Sequence, residues 1–282
     1  MKSRIEQNGN EVDVQRDYEE SLNEIVTADS NVEADEDKVY DLLAGYVDEN
    51  GTVHKTFTIR EMTGKDEEAI QKSDVKNNGA KVISTLLCRC VTSIGEISKS
   101  DVSPKEWENI IKSLYVGDQD TILIEIRKHS IGDTLEANHV CPNPDCRNKL
   151  HTVIDMDELE IEYFKGEREI PFTLIKGYKD KKGEVHKDGF MRLPNGIDRE
   201  VLTPLAKKNL AKAETIMLTR ICRFKDGAYV DENVMANLTT KDRNYLIGLM
   251  QDNNFGVNMT VDITCDNCGE EFKANLNATN FI

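Results

Sequence analysis

Apolar residues are isolated over the first 38 positions and become periodic from Val39 onward. Extended segments near 39–47 and 53–61 flank Asp48-Glu49-Asn50-Gly51, as the arms of a β-hairpin flank their turn. Thr63 with Asp66 marks a helix start. Val82, Ile83, Leu86, Leu87 and Cys90 then recur at i, i+1, i+4, i+5 and i+8, one face of a helix. Ser103-Pro104-Lys105-Glu106 reads as a capping box with proline at the first helical position, and Trp107, Ile110, Ile111 and Leu114 form a stripe behind it. A further helix is predicted over about 117–129, carrying Ile122, Leu123 and Ile126. Two strands flanking a cysteine turn close the unit.

The pattern then repeats. At a constant offset of 132, residues 45–68 and 177–200 share eleven identities in 24 ungapped positions, from Gly45/Gly177 and His54/His186 to Arg60/Arg192, Asp66/Asp198 and Glu68/Glu200. Asn195 with Asp198 restates the helix start. The helix ending at Cys90 maps onto one ending at Cys222 at the same offset, and residues 130–141 align with 254–265 at offset 124. Both twelve-residue stretches end on the first cysteine of a pair. The expected fold is α+β: a tandem duplication of a strand hairpin–helices–zinc-knuckle ribbon unit about a pseudo-twofold axis. The expected divisions are a flexible acidic arm (1–38), a first unit (39–160) and a second unit (161–282). The arm is too polar to offset the entropy of ordering it, apart from a transient helix near Asp17–Val26.

Composition narrows the function. A net charge of −16 opposes binding to a phosphate backbone, and Lys176–Lys182 reads as a solvated loop rather than a nucleic-acid patch. The acidity suits basic protein partners. No apolar run is long enough to span a membrane and no leader opens the chain, so an intracellular protein is expected.

Seven cysteines are unevenly placed. Cys88, Cys90 and Cys222 lie in segments read as apolar helices, as buried thiols of a reducing compartment. Cys141/Cys146 and Cys265/Cys268 form two close pairs, C-x4-C and C-x2-C. Zinc favours tetrahedral sets of thiolates, and closed four-thiolate sites are structural. Each pair supplies half a shell, so one zinc shared between the units is expected. Local completion by His139 or His151 is open only to the first pair, because Ile263 and Lys273 stand at the matching positions. Metal-free knuckles remain the alternative.

Neither a phosphate loop, nor H-E-x-x-H, nor a nucleophile elbow occurs, and four thiolates leave a zinc no open position; no enzyme and no small-molecule substrate are expected. His54 and His186 are retained in Val-His-Lys triplets and read as hairpin histidines bonding a backbone carbonyl, without a carboxylate at an evident partner spacing.

Three stretches carry a family resemblance: Thr58–Glu68, the helix Asp118–Asp133 with its Arg127-x-x-Ser130-x-Gly132 ending, and the first cysteine pair with the acidic strand Val153–Glu160 behind it. In this order they resemble phage tail and baseplate proteins of the T-even hub type, related in pattern to tail assembly chaperones of Mu-like phages. The resemblance covers about residues 50–160 and, more faintly, the second unit. It implies a non-enzymatic tail or baseplate protein, a permanent component or an assembly factor. Its partners would be other tail proteins, with no nucleic acid or membrane, in the virion baseplate or the host cytoplasm during assembly. A zinc-ribbon adaptor acting on nucleic acid or a polymerase is the competing class.

Overall fold

The first hairpin forms where the alternation placed it. In the computed structural model, which describes residues 38–276, β1 (Tyr40–Val47) and β2 (Val53–Ile59) pair antiparallel across the Asp48–Gly51 turn. The expected acidic arm and its helix lie outside the described residues. Helices α1 (Gly64–Ile70) and α2 (Gly79–Cys90) follow, then short strands β3 (Val91–Ile94) and β4 (Ile97–Ser98) that extend the sheet in the order β1-β2-β3-β4. Helices α3 (Pro104–Ser113) and α4 (Val116–Ser130) lead into a two-stranded ribbon, β5 (Thr134–Val140) and β6 (Lys149–Asp155). Strand β7 (Ile161–Glu162) begins the passage to β8 (Ile170–Lys179) and β9 (Val185–Met191). Then come α5 (Gly196–Ala206), α6 (Leu210–Ile221), β10 (Cys222–Phe224), α7 (Glu232–Ala236) and α8 (Thr240–Asp252). Strand β11 (Gly256–Val257) pairs with β7, and β12 (Thr260–Thr264) with β13 (Glu271–Asn275) makes a second ribbon. The class is α+β with several antiparallel sheets.

Two cores form. One gathers Phe57, Ile59, Leu86, Leu87, Trp107, Ile111, Ile122 and Leu123. The stripe read from Trp107 to Leu114 is buried there, and the indole Nε1 donates to the Cys88 carbonyl at 3.1 Å. The other core gathers Phe172, Leu174, Met191, Leu218, Phe224, Leu246 and Phe255. Ala44 of β1 belongs to the second core and Leu276 to the first, so chain crosses between them.

The same backbone devices appear in both halves. Gly45 and Gly177 adopt φ of 80° and 81°, where a Cβ would lie 2.5 Å from the His54 carbonyl oxygen and 2.6 Å from that of His186. Each glycine sits in a break of strand pairing whose freed N–H groups find a carboxylate. Ala44 and Gly45 donate to Asp118, and Ile175, Lys176 and Gly177 to Asp242. The helix starts read at Thr63/Asp66 and Asn195/Asp198 are capping boxes of α1 and α5, while at the box read for Ser103–Glu106 the Ser103 hydroxyl accepts from the Glu106 N–H.

One register differs from the sequence reading. Arg60 N–H bonds the Cys90 carbonyl and Arg192 N–H the Ile221 carbonyl, while Val91 pairs with Ile59 and Cys222 with Met191. Cys90 therefore stands opposite Ile221, and Cys222 opposite Val91, at offset 131. Cys222 opens a strand rather than ending a helix. The capping residues Asn78 and Asn209 carry the same 131-residue offset.

The start of α5 lies against the start of α4. Tyr115 and Asn195 form a bridge, Val116 N–H donates to the Pro194 carbonyl, and Gly196 N–H to that of Leu114, both at 3.1 Å. A Cβ on Gly196 would lie 2.1 Å from the Gln119 amide. Lys112 pairs with Glu200, and Arg199 with Asp120. Asn195 caps α5 as well as bridging to Tyr115, and Thr63 and Thr239 cap α1 and α8.

Candidate metal centre

Each cysteine pair is presented by a β-ribbon. On the first, Cys141 follows β5, and its N–H donates to the Asn148 carbonyl at 2.9 Å. The N–H groups of Cys146 and Arg147 return to the Asn143 carbonyl, which tightens the turn between the two prolines. On the second, Cys265 N–H donates to the Glu270 carbonyl, and Gly269 N–H to the Cys265 carbonyl, both at 2.8 Å. The residue after the second cysteine is left-handed in both turns: Arg147 at φ 50° and Gly269 at φ 74°. Glycine meets that demand freely; arginine meets it at a cost.

The ribbons meet at these turns. Cys141 Sγ lies 3.7 Å from Cys268 Sγ, and Cys146 Sγ lies 3.8 Å from Cys265 Sγ. All four sulfurs fall within 4.8 Å of one another. The pairing is reciprocal, first cysteine of one turn to second of the other. A disulfide would bring two sulfurs to about 2.05 Å. A tetrahedron with metal–sulfur bonds of about 2.3 Å has edges of about 3.8 Å, so these two spacings are consistent with a zinc shell. Leu150, Ile263 and Ala274 form a small apolar floor, with Val261 and Phe272 at its margin.

Electrostatics favour a cation here. The Asn267 amide donates to Cys146 Sγ at 3.3 Å and draws that thiol down to about 7. Cys268 receives help from the Glu270 N–H, but burial and the three neighbouring sulfurs push it up to about 12. Four thiolates this close repel one another, and a dication removes the conflict. Asn148 donates to Asp266 at 2.9 Å, tying one turn to the other outside the sulfurs. The three remaining cysteines stand apart: burial pushes Cys88, Cys90 and Cys222 up to about 12, which leaves them as packed thiols.

His151 is exposed and faces Asn138 and Glu136, and neither it nor His139 joins the sulfur cluster. His54 and His186 lie in the hairpins, with partners the sequence reading missed. His54 Nε2 lies 3.3 Å from Asp48 Oδ2, and His186 Nδ1 lies 2.7 Å from Asp226 Oδ2. These carboxylates, rather than backbone carbonyls, hold the rings. The recurring Asp48/Asp180, six residues ahead of each histidine, was the available signal. A cleft of about 570 Å³ is lined by Met62, Gly64, Glu67, Glu68, Gln71 and Ile131 among others, with no His, Ser or Cys.

No helix among the described residues is long and apolar enough to cross a membrane. No curated protein and no solved structure matches the chain. Residues 46–199 match the family described as T4 bacteriophage base plate protein. The match takes in both hairpin turns, Asp66, Asp118, Asp198 and the first cysteine pair, and stops ahead of the second. It spans more than half of the 282 residues, and the chain belongs to the T4 bacteriophage base plate protein family.

Proposed function

We propose that this chain is a non-enzymatic part of the baseplate of a contractile phage tail, of the hub type, in which one structural zinc clamps the two halves of a duplicated fold. Cys141, Cys146, Cys265 and Cys268 are the ligands. The observation that carries the clamp is the meeting of two half-sites from separate ribbons in one shell of sulfurs. Family membership carries the baseplate. When bound, zinc cross-links the ribbons; the chain's part is to present the sulfurs, exclude water with the Leu150–Ile263–Ala274 floor, and brace Cys146 through Asn267.

The duplication is supported by devices recurring at the sequence offsets: Gly45 with Gly177, Asp66 with Asp198, Asp118 with Asp242. The reciprocal sulfur pairing supports a twofold relation at the ribbons. A clamp of this kind fixes two similar binding surfaces in one pose, which suits a component or assembly factor joining other tail proteins. Its place is the virion baseplate, or the host cytoplasm during assembly.

Structural zinc contributes roughly 10 kcal/mol or more to folding at neutral pH. Metal analysis of native, reduced protein should give about one zinc per chain. Cys141→Ser and Cys265→Ser should both lose it, with matching losses of thermal stability. Zinc-free native protein would sink the clamp, and two zincs per chain would replace it with separate sites. Recovery from purified particles at fixed stoichiometry identifies a component; presence only in lysates identifies an assembly factor.

A further inference from the structure

The two hairpins share a scaffold and differ in charge. Asp48 Oδ1 accepts from the N–H groups of Asn50 and Thr52, and Asp180 Oδ1 from those of Lys182 and Glu184. Lys55 Nζ reaches the Leu43 carbonyl and Lys187 Nζ the Ile175 carbonyl, both at 3.3 Å. On that common frame Ala44, Val47, Glu49 and Asn50 of the first hairpin are replaced by Lys176, Lys179, Lys181 and Lys182 in the second. The turn does not require these lysines, since the first hairpin holds the same geometry without them. All four side chains are exposed. Asp180 spends its charge inward, on the turn N–H groups and towards His186, and the Glu184 carboxylate gathers within 4.8 Å of both side chains, so the turn's two acids face His186. Lys179 pairs with Val185 in register, which puts an apolar side chain, 51% exposed, on the same face.

We propose that this basic hairpin is the docking site of the chain's own acidic N-terminal segment, residues 1–37. That segment has twelve Asp and Glu against three Lys and Arg. Thirty-seven residues span up to roughly 120 Å, against about 45 Å across a compact body of this size, so the hairpin is within reach of the same molecule. A tethered segment meets its site at an effective concentration of about a millimolar, which favours its own chain over a second copy in dilute solution. The acidic first hairpin, with Glu49 at its tip, repels the segment. Occupancy answers to salt because the contact is between exposed charges.

The test uses the full chain. Carbodiimide coupling of amines to adjacent carboxylates, followed by peptide mapping of the monomer band, should link Lys179, Lys181 or Lys182 to acids in 1–37. Those links should fall about fivefold at 0.5 M salt, where the screening length drops to about 4 Å. When Lys179→Gln, Lys181→Gln and Lys182→Gln are combined, links from the segment to the remaining hairpin amines, Lys176 and Lys187, should also be lost, and a Glu-specific protease should then cut the segment about threefold faster. The salt arm needs no variant, so it stands even if the triple substitution impairs folding. Links to other surfaces, links indifferent to salt, or links found only in a covalent dimer would each overturn the proposal.

Discussion

The two halves build the same arginine–aspartate–arginine clasp and bury it differently. In the first, Asp66 receives Arg60 at 2.8 and 3.0 Å and Arg89 at 2.5 Å, with the arginine side chains 4% and 5% exposed. In the second, Asp198 receives Arg192 at 2.6 and 3.2 Å and Arg220 at 2.6 Å, but those arginines are 35% and 33% exposed. The covers explain the difference. Strand β4 pairs with β3 beside the first clasp, and Lys99 caps the Arg89 carbonyl. Beside the second, β10 is an edge strand and a cleft of about 150 Å³ opens, lined by Arg192, Arg220, Arg223 and Glu169 among others. Conserving a hydrogen-bond pattern between halves thus fixes geometry without fixing energy. Both aspartates are wholly buried. Burial opposes their ionisation, yet the guanidinium and N–H donors hold Asp66 well below the usual carboxylate range and lower Asp198 as well.

The largest effect should come from the closed clasp. Asp66→Asn takes the Asp66 carboxylate away from two buried guanidinium groups, Arg60 and Arg89, a cost of about 3–5 kcal/mol. Asp198→Asn leaves two arginines that water and salt can reach, and should cost about 1–2 kcal/mol. Urea midpoints of the two full-length variants measure the difference, and equal losses would break the comparison.

A second pair sharpens it. Asp118 and Asp242 accept the freed N–H groups of β1 and β8, but their environments push in opposite directions. Burial raises Asp118, against the N–H bonds of Ala44 and Gly45. Burial also opposes Asp242, but three N–H bonds and the Thr239 hydroxyl outweigh it and lower that carboxyl. The sign of the linkage therefore differs. Asp242 contributes stability above its unfolded value, near pH 3.9, and loses it as pH falls through its lowered folded value. The contribution of Asp118 is fullest below about pH 3.9 and shrinks as pH rises through its raised folded value. Each Asp→Asn change should cost about 1–3 kcal/mol through a badly matched amide. The penalty for Asp242→Asn should shrink on acidification and that for Asp118→Asn should grow. Parallel pH profiles would contradict the reading.

How much of this was legible follows from the range of each signal. Cys141/Cys146 and Cys265/Cys268 were readable because a knuckle is defined within six residues, and the repeat brought the two pairs together without geometry. The hairpins and capping boxes were local in the same way. The offset slipped at α2 and α6, although Ala80/Ala211, Lys81/Lys212, Leu87/Leu218 and Arg89/Arg220 spell 131 once aligned. One residue is lost between Glu68 and Ala80 as aligned with Glu200 and Ala211, and apolar spacing alone tolerates that slip. The carboxylate sites were invisible for a different reason. Asp118 acts on residues more than seventy positions away, and nothing in an acidic chain marks the buried aspartates among the exposed. Strands β4, β7 and β11, two residues each, carry too few positions for alternation to register.

The smallest expected effect lies in the hairpin histidines, where the two halves diverge by one partner. His54 has Asp48 on one side, and Gly95 packs against its ring so closely that a Cβ would lie 2.5 Å from Nδ1. His186 has Asp180 at 3.8 Å and gains Asp226 at 2.7 Å. The hydrogen bond that His186 donates to Asp226 raises the His186 pKa above its ordinary value, against the opposing effect of burial. A raised histidine stabilises the fold fully below its unfolded value, near 6.5, and the gain is lost as pH rises through the folded value. Asp226→Asn should therefore return the His186 titration, followed by NMR, towards 6.5, and flatten the loss of stability as pH rises above about 6.5. Asp226 is itself half-exposed, so the effect on overall stability should be slight while the titration moves clearly. A midpoint indifferent to Asp226→Asn would mean that Asp180 and the hairpin frame set the charge of His186. The added carboxylate would then have no consequence for the charge of His186.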